Sequence, residues 1–274
     1  MTRSLSSLEA KLILQLEWEK KSIVTIEDAM DILGCSYAHA RKILQQLNDD
    51  RWLARIRSGT YELIPAERGE HAFLDTNPLF LGSTLVDPYY YSYATTAFYH
   101  GLSTQASNTV YIATTKRKGQ QVLKVRGKSY RLVKQPAHKF FGALEKNAYG
   151  STVKIADQEK TILDSLDRPS YSGDIPEITS MLQRGRNKLD WPKLIDYALR
   201  FETQALIQRL GYLADLLDLP LTAGQRKRLL EQVGNSTPYL GHTSRWGTGG
   251  SYDSTWRIMD NIPDQEKLAE LEVW

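Results

Sequence analysis

Cysteine is nearly absent from this sequence of 274 residues, which contains one, Cys35. A single thiol cannot form a disulfide within the chain, and it cannot supply the several cysteines of a structural zinc site. The composition therefore excludes a disulfide-stabilised secreted scaffold and suits a reducing cytoplasm.

Long apolar runs and export signals are also lacking. No stretch approaches the roughly 18 uninterrupted apolar residues that a membrane helix needs. Glu9 and Lys11 interrupt the apolar positions of the first helix-like segment, so this segment does not have the pattern of a signal peptide. We therefore expect a cytoplasmic protein without a membrane partner.

Excess charge of one sign is small overall but strong locally. The chain has 35 Lys and Arg against 32 Asp and Glu, a formal net charge of +3, which by itself indicates no polyanionic partner. Between Lys116 and Lys139, however, nine basic residues occur without an acidic one. This segment predicts a positive surface on an otherwise balanced protein.

Hydrophobic residues make up 41% of the chain and aromatic residues 10%, which is typical of a globular protein. The length suits about two domains. We expect an α+β protein with a winged helix-turn-helix over residues 1–65, a linker over 66–76 and a larger domain over 77–274. Within the larger domain, 77–168 is expected to mix strands and helices, and 169–274 to be mainly helical.

The N-terminal 65 residues have the periodicity of three helices and a hairpin. Apolar spacing predicts a helix over Ser7–Trp18, a second from the N-cap Thr25 to Gly34, and a third capped by Ser36. The apolar stripe of the third helix is Ala40, Ile43, Leu44 and Leu47. Two β-prone runs, residues 52–57 and 60–64, follow and are joined through Ser58 and Gly59. This order predicts a winged helix-turn-helix.

The outward face of the third helix and the hairpin carry residues suited to DNA. Arginine and glutamine side chains can bind base edges, lysine can bind phosphate, and a helix N-terminus offers main-chain donors. The predicted DNA-binding residues are Ser36, Tyr37, Ala38, Arg41, Lys42, Gln45, Arg55 and Arg57. A winged helix that contacts protein through solvated charges is the alternative.

The basic segment could form a second binding surface. If its strand is continuous, Lys124, Arg126 and Lys128 project from one face because side chains alternate along a strand. Such a face could contact DNA or an acidic partner, or serve as a solvated face that prevents aggregation. The candidate residues of this second basic surface are Lys116, Arg117, Lys118, Lys124, Arg126, Lys128 and Arg131.

The larger domain is predicted to combine short strands with helices. The predicted strands are 89–92, 110–114, 121–125, 129–133, 153–155 and 255–259. The predicted helices are 93–100, 157–166, 177–183, 191–201, 204–217 and 222–232. The glycine-rich residues 234–251 are predicted to form a loop.

No residue set in the larger domain makes a convincing catalytic or metal site. A restriction-type nuclease needs an acid and a lysine two positions apart on a strand, whereas Glu159 and Lys160 are adjacent. Asp157 is better interpreted as a helix N-cap. The five histidines lack metal-ligand spacing. We therefore expect no metal, no cofactor and no enzymatic activity.

Five segments, in this order, resemble the AbiEi-type antitoxins of type IV toxin–antitoxin systems, which act in abortive infection and antiviral defence. They are Arg55–Tyr61, Tyr90–Leu102, Ala156–Asp164, Arg209–Leu213 and Trp256–Asn261. The resemblance implies a repressor that binds inverted repeats in its own promoter and neutralises a nucleotidyltransferase-like toxin. It also implies DNA contact by Tyr37, Arg41, Lys42, Arg55 and Arg57.

Two other functions stay open at the level of sequence. One is a metal-dependent nuclease or nucleotidyltransferase that uses Asp157, Glu159 and Asp164 and is targeted by the winged helix. The other is a transcription regulator that senses a small ligand through its second domain and has no toxin.

Overall fold

The computed structural model describes residues 4–66, 77–117, 119–148 and 151–268. The helices are α1 (Ser7–Trp18), α2 (Ile26–Leu33), α3 (Tyr37–Asp49), α4 (Pro78–Ser83), α5 (Ala94–Tyr99), α6 (Gln158–Asp167), α7 (Asp174–Gly185), α8 (Trp191–Arg200), α9 (Gln204–Leu216), α10 (Ala223–Leu230), α11 (Thr243–Trp246) and α12 (Asp264–Leu268). The strands are β1 (Ile23–Thr25), β2 (Leu53–Arg57), β3 (Thr60–Leu63), β4 (Tyr90–Tyr91), β5 (Thr109–Thr114), β6 (Val122–Val125), β7 (Lys128–Lys134), β8 (Ala143–Ala148), β9 (Ser151–Ala156), β10 (Ser251–Asp253) and β11 (Ile258–Asp260). Helices and sheets occur together, as expected for an α+β protein.

The chain divides into two compact units. The first contains the described residues up to Thr84 together with Lys124–Gly127, and the second contains 85–123 and the chain from Lys128 onward. The first unit therefore extends beyond residue 65, where the sequence analysis places the domain boundary. Apart from Ala66, the predicted linker 66–76 lies outside the described residues.

In the first unit, local capping fixes the ends of the three predicted helices. Ser6 and Glu9 form a capping box at α1, and Thr25 and Asp28 form another at α2. Gly34 ends α2 with a φ of 67°, a left-handed conformation that suits glycine. These starts and stops confirm the predicted helices.

A three-stranded sheet in the order β1-β3-β2 completes the first unit, and both of its pairings are antiparallel. The predicted hairpin is present as β2 and β3, and its pairing continues to Arg57 and Thr60 on either side of the two-residue turn. Strand β1 has no counterpart in the sequence analysis, because three residues are too few to show a period. The buried core is formed by Leu12, Ile13, Leu16, Val24, Ile26, Ala29, Ala40, Ile43, Leu44, Leu47, Leu53, Tyr61 and Leu63.

The second unit contains a six-stranded mixed sheet in the order β6-β7-β5-β4-β9-β8. Strands β5 and β7 are parallel, as are β4 and β9, whereas β4 with β5 and β8 with β9 are antiparallel. The five strands predicted between residues 89 and 155 are present. Strand β8 was not predicted. It is an edge strand whose described side chains are all exposed, so no apolar alternation marks it in the sequence.

Helices α5 to α10 build the main core of the second unit, together with β11, Trp256 and Ile262. The helical prediction for 169–274 is correct for α7 to α10. The loop prediction for residues 234–251 is wrong in part, because α11 lies within it and β10 begins at its end. The strand predicted at 255–259 lies slightly later, as β11, and pairs with β10.

No helix in the described ranges is both long enough and apolar enough to span a bilayer.

Gly211 and Trp256 meet in this core, although they lie in different parts of the chain. The Trp256 indole is almost fully buried, and its Nε1 donates to Asp215 Oδ2 at 2.7 Å. A Cβ on Gly211, in the middle of α9, would overlap the six-membered ring of that indole. The Trp256 indole can therefore pack against α9 because residue 211 has no side chain.

Gly211→Ala is expected to lower the free energy of unfolding by about 1–3 kcal/mol, the usual cost of overpacking a filled core. Urea denaturation followed by circular dichroism measures this loss. Gly224→Ala in α10 is the matched control, because a Cβ there meets only Thr222 Oγ1 at 4.0 Å. The control is expected to leave stability unchanged or to raise it by up to about 1 kcal/mol. Equal effects of the two substitutions would contradict the packing argument.

Candidate DNA-binding surface and buried carboxylates

Helix α3 has a buried and an exposed face, as the sequence predicts. Ala40, Ile43, Leu44 and Leu47 are buried in the core of the first unit. Ser36 caps the helix by accepting a hydrogen bond from His39 N at 3.4 Å. Because the apolar stripe and the cap fix the rotation and the start of α3, they also decide which residues face solvent.

The exposed face of α3 carries the residues predicted to bind DNA. Arg41, Lys42 and Gln45 are exposed, and the Tyr37 ring is 52% exposed at the first helical position. Ala38 is also exposed and lies one turn before Arg41 and Lys42. No acidic residue occurs in α3 before Asp49. The face is therefore cationic, and positive partial charge at the helix N-terminus adds to it.

The β2–β3 hairpin presents Arg55 and Arg57 to solvent, with the buried Ile56 between them. The Arg55 main-chain N–H donates to Asn48 Oδ1 at 3.0 Å, which ties the strand to the end of α3. Arg57 donates through Nη2 to Thr84 O at 3.2 Å, so part of its guanidinium is already engaged. Both arginines lie near the hairpin tip, as predicted.

The second basic surface differs from the prediction, because the strand through it is not continuous. Strand β6 ends at Val125, and Arg126 and Gly127 form a turn with φ of 45° and 78°. Lys124 and Lys128 consequently lie on two different strands. Arg126 Nη1 donates to Glu62 Oε2 at 2.6 Å within the first unit. The prediction that Lys124, Arg126 and Lys128 project from one face of a single strand is therefore wrong.

The remaining basic residues fall into two groups. Lys116, Arg117, Lys124 and Lys128 are exposed, and Lys116 and Arg117 border a cavity of about 400 Å³ together with Lys134. Arg131 is half-buried and stacks over the Tyr171 ring at 5.4 Å. Lys118 lies outside the described residues. Four of the seven predicted basic residues are therefore exposed.

Asp157 and Glu159, two of the candidate catalytic acids, are held in structural contacts. Asp157 caps α6 by accepting from Lys160 N at 2.8 Å, and Glu159 accepts from Asp190 N at 2.9 Å. Lys193 Nζ binds both acids, at 3.1 and 2.8 Å. Burial acts to lower the pKa of Lys193, but the hydrogen bonds to Glu159 and Asp157 outweigh it and raise the pKa above its usual value.

Asp164, the third candidate acid, lies at the centre of a fully buried polar network. One carboxylate oxygen accepts from Ser92 Oγ at 2.6 Å and from the Tyr90 hydroxyl at 3.2 Å. The other accepts from Lys160 Nζ and, at 3.3 Å, from Gln135 Nε2. Gln135 Nε2 also donates to the Tyr93 hydroxyl at 2.7 Å. This carboxylate has no open side toward a substrate.

The Lys160 ammonium is enclosed by aromatic rings in addition to Asp164. It lies 4.3 Å from the centroid of Phe201, 5.0 Å from that of Phe141 and 5.3 Å from that of Tyr90. Burial lowers the pKa of Lys160 and raises that of Asp164, while the attraction between the two groups opposes both shifts. Sequence reasoning missed this network, although the i,i+4 spacing of Lys160 and Asp164 on a helix was a usable signal.

These carboxylates are suited to holding elements together rather than to binding a metal. Within residues 4–66, 77–117, 119–148 and 151–268, no three His, Cys, Asp or Glu side chains form a cluster that could hold a metal ion. The structure supports the interpretation of Asp157 as an N-cap, and it places Asp164 in the interior.

The overall fold is similar to that of a solved structure, the RV2827C protein from Mycobacterium tuberculosis. The two chains are 16% identical and align with a TM-score of 0.65, over 99% of this chain and 96% of the other. At this identity the similarity shows a shared fold. No protein-family model and no curated protein matches the sequence.

Asp164→Asn is expected to lower the free energy of unfolding by about 3–5 kcal/mol, because it leaves the buried Lys160 ammonium without a counter-charge. Urea denaturation provides the measurement. The control is Asp196→Asn, which breaks an exposed ion pair with Arg228 at 2.7 Å and should cost about 0–1 kcal/mol. Replacing both partners, as in Lys160→Met with Asp164→Leu, should recover part of the loss. Equal losses of unfolding free energy at positions 164 and 196 would show that the buried ion pair contributes no more to stability than the exposed one.

Proposed function

We propose that the first unit is a winged helix-turn-helix that binds double-stranded DNA, and that the protein is a transcriptional repressor and antitoxin. The exposed cationic face of α3 is the observation that carries this proposal. A buried stripe orients the helix, and Arg41, Lys42 and Gln45 then face solvent within one patch. The second step, from DNA binding to an antitoxin, rests on the resemblance to AbiEi-type proteins.

Each residue of this face has a chemical role in the proposal. Arg41 and Gln45 donate paired hydrogen bonds to base edges in the major groove, and Ala38 can contact a thymine methyl group. Lys42 and Tyr37 bind phosphate oxygens near the positive end of α3. No ion pair within the described residues occupies Arg41 or Lys42, so binding to DNA breaks no salt bridge at these side chains.

The hairpin supplies a second contact next to the helix. Arg55 and the remaining donors of Arg57 reach the adjacent minor groove or the backbone beside it. Binding of this kind to inverted repeats places one copy of the protein on each half-site, about 34–36 Å apart when the half-sites are one turn apart. Occupied repeats in the protein's own promoter would exclude the polymerase and thus repress the operon.

The exposed members of the second basic surface add non-specific attraction in the same proposal. Lys116, Arg117, Lys124 and Lys128 are accessible to a polyanion and would release counterions when they approach a phosphate backbone. Arg126 is excluded from this role because its guanidinium is bound to Glu62.

The second unit is proposed to bind and neutralise a nucleotidyltransferase-like toxin. Two segments that carry the family resemblance, around Gly211 and around Trp256, pack against each other there. The segments around Tyr90 and Asp164 are likewise joined by a hydrogen bond. The segments that carry the resemblance therefore contribute to the interior of the second unit, and the toxin would bind its surface.

DNA binding is tested by titrating the protein against DNA from upstream of its own gene, at about 150 mM salt and with excess unrelated DNA. Arg41→Ala is expected to cost about 1–3 kcal/mol of binding free energy, roughly 5- to 150-fold in Kd. Lys42→Ala should weaken binding to all sequences and reduce the salt slope by about 1.

Lys11→Ala, which removes one exposed cation from α1, is the control for loss of charge and should bind like the wild type. If Arg41→Ala binds the upstream DNA with the same preference as the wild type, the proposal that this face of α3 contacts the bases is wrong. Cleavage of the probe in the presence of Mg²⁺ would instead favour the nuclease.

The antitoxin half is tested by co-expression with the gene encoded beside this one. The wild-type protein is expected to restore growth when the neighbouring product is toxic. The double variant Arg41→Ala with Arg55→Ala should also restore growth while failing to repress a reporter driven by the upstream DNA, because its second unit is unchanged. A neighbouring product that is harmless, or toxic in the presence of this protein, would argue against neutralisation.

A further inference from the structure

The second unit contains a cavity of about 170 Å³ that none of the proposed activities uses. Helix α5, the loop before β5, and the start of α7 surround it. Buried Ala97, Ser103 and Met181 form part of its lining, whereas Ala106 on the loop is exposed and lies at the mouth. A cavity of about 150 Å³ is enough to hold a molecule the size of benzene, so there is room for a small organic ligand.

Glu177 lines this cavity and lacks a partner. Its side chain belongs to a residue that is 9% exposed, and its Oε1 is buried without a hydrogen bond. Across the described ranges, no hydrogen bond or ion pair to the Glu177 carboxylate occurs. Burying a carboxylate in this way is costly unless a cation or a set of donors compensates it.

Every other buried carboxylate of the described chain has such compensation. Lysine or arginine binds Glu62, Asp157, Glu159, Asp164 and Asp260. Glu9 accepts from Ser6 N at 2.7 Å, and Asp174 accepts from the indole of Trp246 at 2.6 Å. Glu177 is thus an exception in the described part of a protein that otherwise pairs its buried acids, and its side chain lines the cavity.

Two aromatic rings complete the binding chemistry of the cavity. Tyr111 and Tyr171 both line it, with ring centroids 5.4 Å apart and planes inclined by 32°. The Arg131 guanidinium already lies over the Tyr171 ring, 5.4 Å from its centroid. The two rings therefore supply carbon atoms for a short alkyl stem, and the carboxylate is the site for a charged head. A carboxylate beside two tyrosine rings suits a ligand with a cationic head, and it repels an anion.

Glu177 lies in the first turn of α7. Positive partial charge at a helix N-terminus stabilises an acid in this turn. Gly173 precedes the helix with a φ of 81°, and a Cβ there would lie 2.8 Å from Glu177 Cβ. The backbone at this point therefore leaves room for the glutamate side chain beside the cavity.

We infer that this cavity binds a small organic cation of the alkylguanidine or alkylamine class, with its charged head on the Glu177 carboxylate and its stem against Tyr111 and Tyr171. A guanidinium can donate two parallel hydrogen bonds to a carboxylate, and an ammonium can act as a point charge. This inference is independent of DNA binding and of any toxin.

Isothermal titration calorimetry tests this inference. The full chain is titrated with butylguanidine, butylamine and neutral butylurea at matched ionic strength. At least one of the two cations is expected to bind at least about tenfold more tightly than butylurea, because the neutral head can still donate hydrogen bonds but cannot form an ion pair with the carboxylate. Butylurea binding as tightly as both cations, or no binding of either cation, would overturn the inference.

Variants locate the site. Glu177→Gln should weaken the binding of the cation at least about tenfold, whereas Glu145→Gln on the exposed strand β8 should leave it unchanged. Ligand-free Glu177→Gln should unfold at the same temperature as the wild type or higher, since a buried charge has been removed. Binding that Glu177→Gln leaves intact would overturn the assignment.

Ala106→Trp narrows the mouth without touching Glu177, and it is expected to weaken binding even where the Glu177 variant fails to fold. Unchanged binding by this variant would place the ligand elsewhere. A short arginine peptide with blocked termini tests whether the cavity binds a free ligand or the arginine side chain of a partner protein. Weaker binding of the peptide than of butylguanidine supports a free ligand, and tighter binding of the peptide would overturn that part of the inference.

Discussion

The ion pair between Lys160 and Asp164 is the constraint on which the second unit depends. Both side chains belong to α6, yet their other contacts come from the strand before α5, the segment after β7 and the aromatic residues Phe141 and Phe201. A buried pair of this kind gains little net stability over well-packed apolar side chains. The pair does, however, require the surrounding donors to be correctly placed, because any missing donor would leave the Asp164 carboxylate partly without hydrogen bonds.

Basic residues have two different roles in this protein. In the second unit, Lys160, Lys193 and Lys267 bind carboxylates, and Arg209 donates to the main-chain oxygens of Leu166, Tyr239 and Leu240. On α3 of the first unit, Arg41 and Lys42 are exposed, and no acidic residue precedes Asp49 in the helix. The small net charge of the chain therefore conceals an uneven distribution, in which burial decides whether a cation supports the fold or remains available for a ligand.

The sequence was most informative where the interactions are local. Thr25, Gly34 and Ser36 fix the ends of α2 and α3 through contacts within three or four residues, and these positions were predictable from capping rules. The face of α3 followed from its apolar period. The sequence was least informative where a contact spans the chain, as between Ser92 and Asp164 or between Arg126 and Glu62. Strand β8 was missed for a different reason, because its exposed side chains have no period to detect.

The packing of Trp256 against α9 has a consequence for the order in which the protein is made. The core of the first unit lies between Leu12 and Leu63, so all of it is available early in synthesis. Helix α9 buries Trp256 41 residues beyond Asp215, and the same core extends to Ile262. Domains fold as units from the N-terminus during translation. A nascent chain therefore completes the core beneath α3 long before the second unit can close. A chain cut short within the glycine-rich residues 234–251 lacks Trp256 and Ile262, so its second core is unfinished.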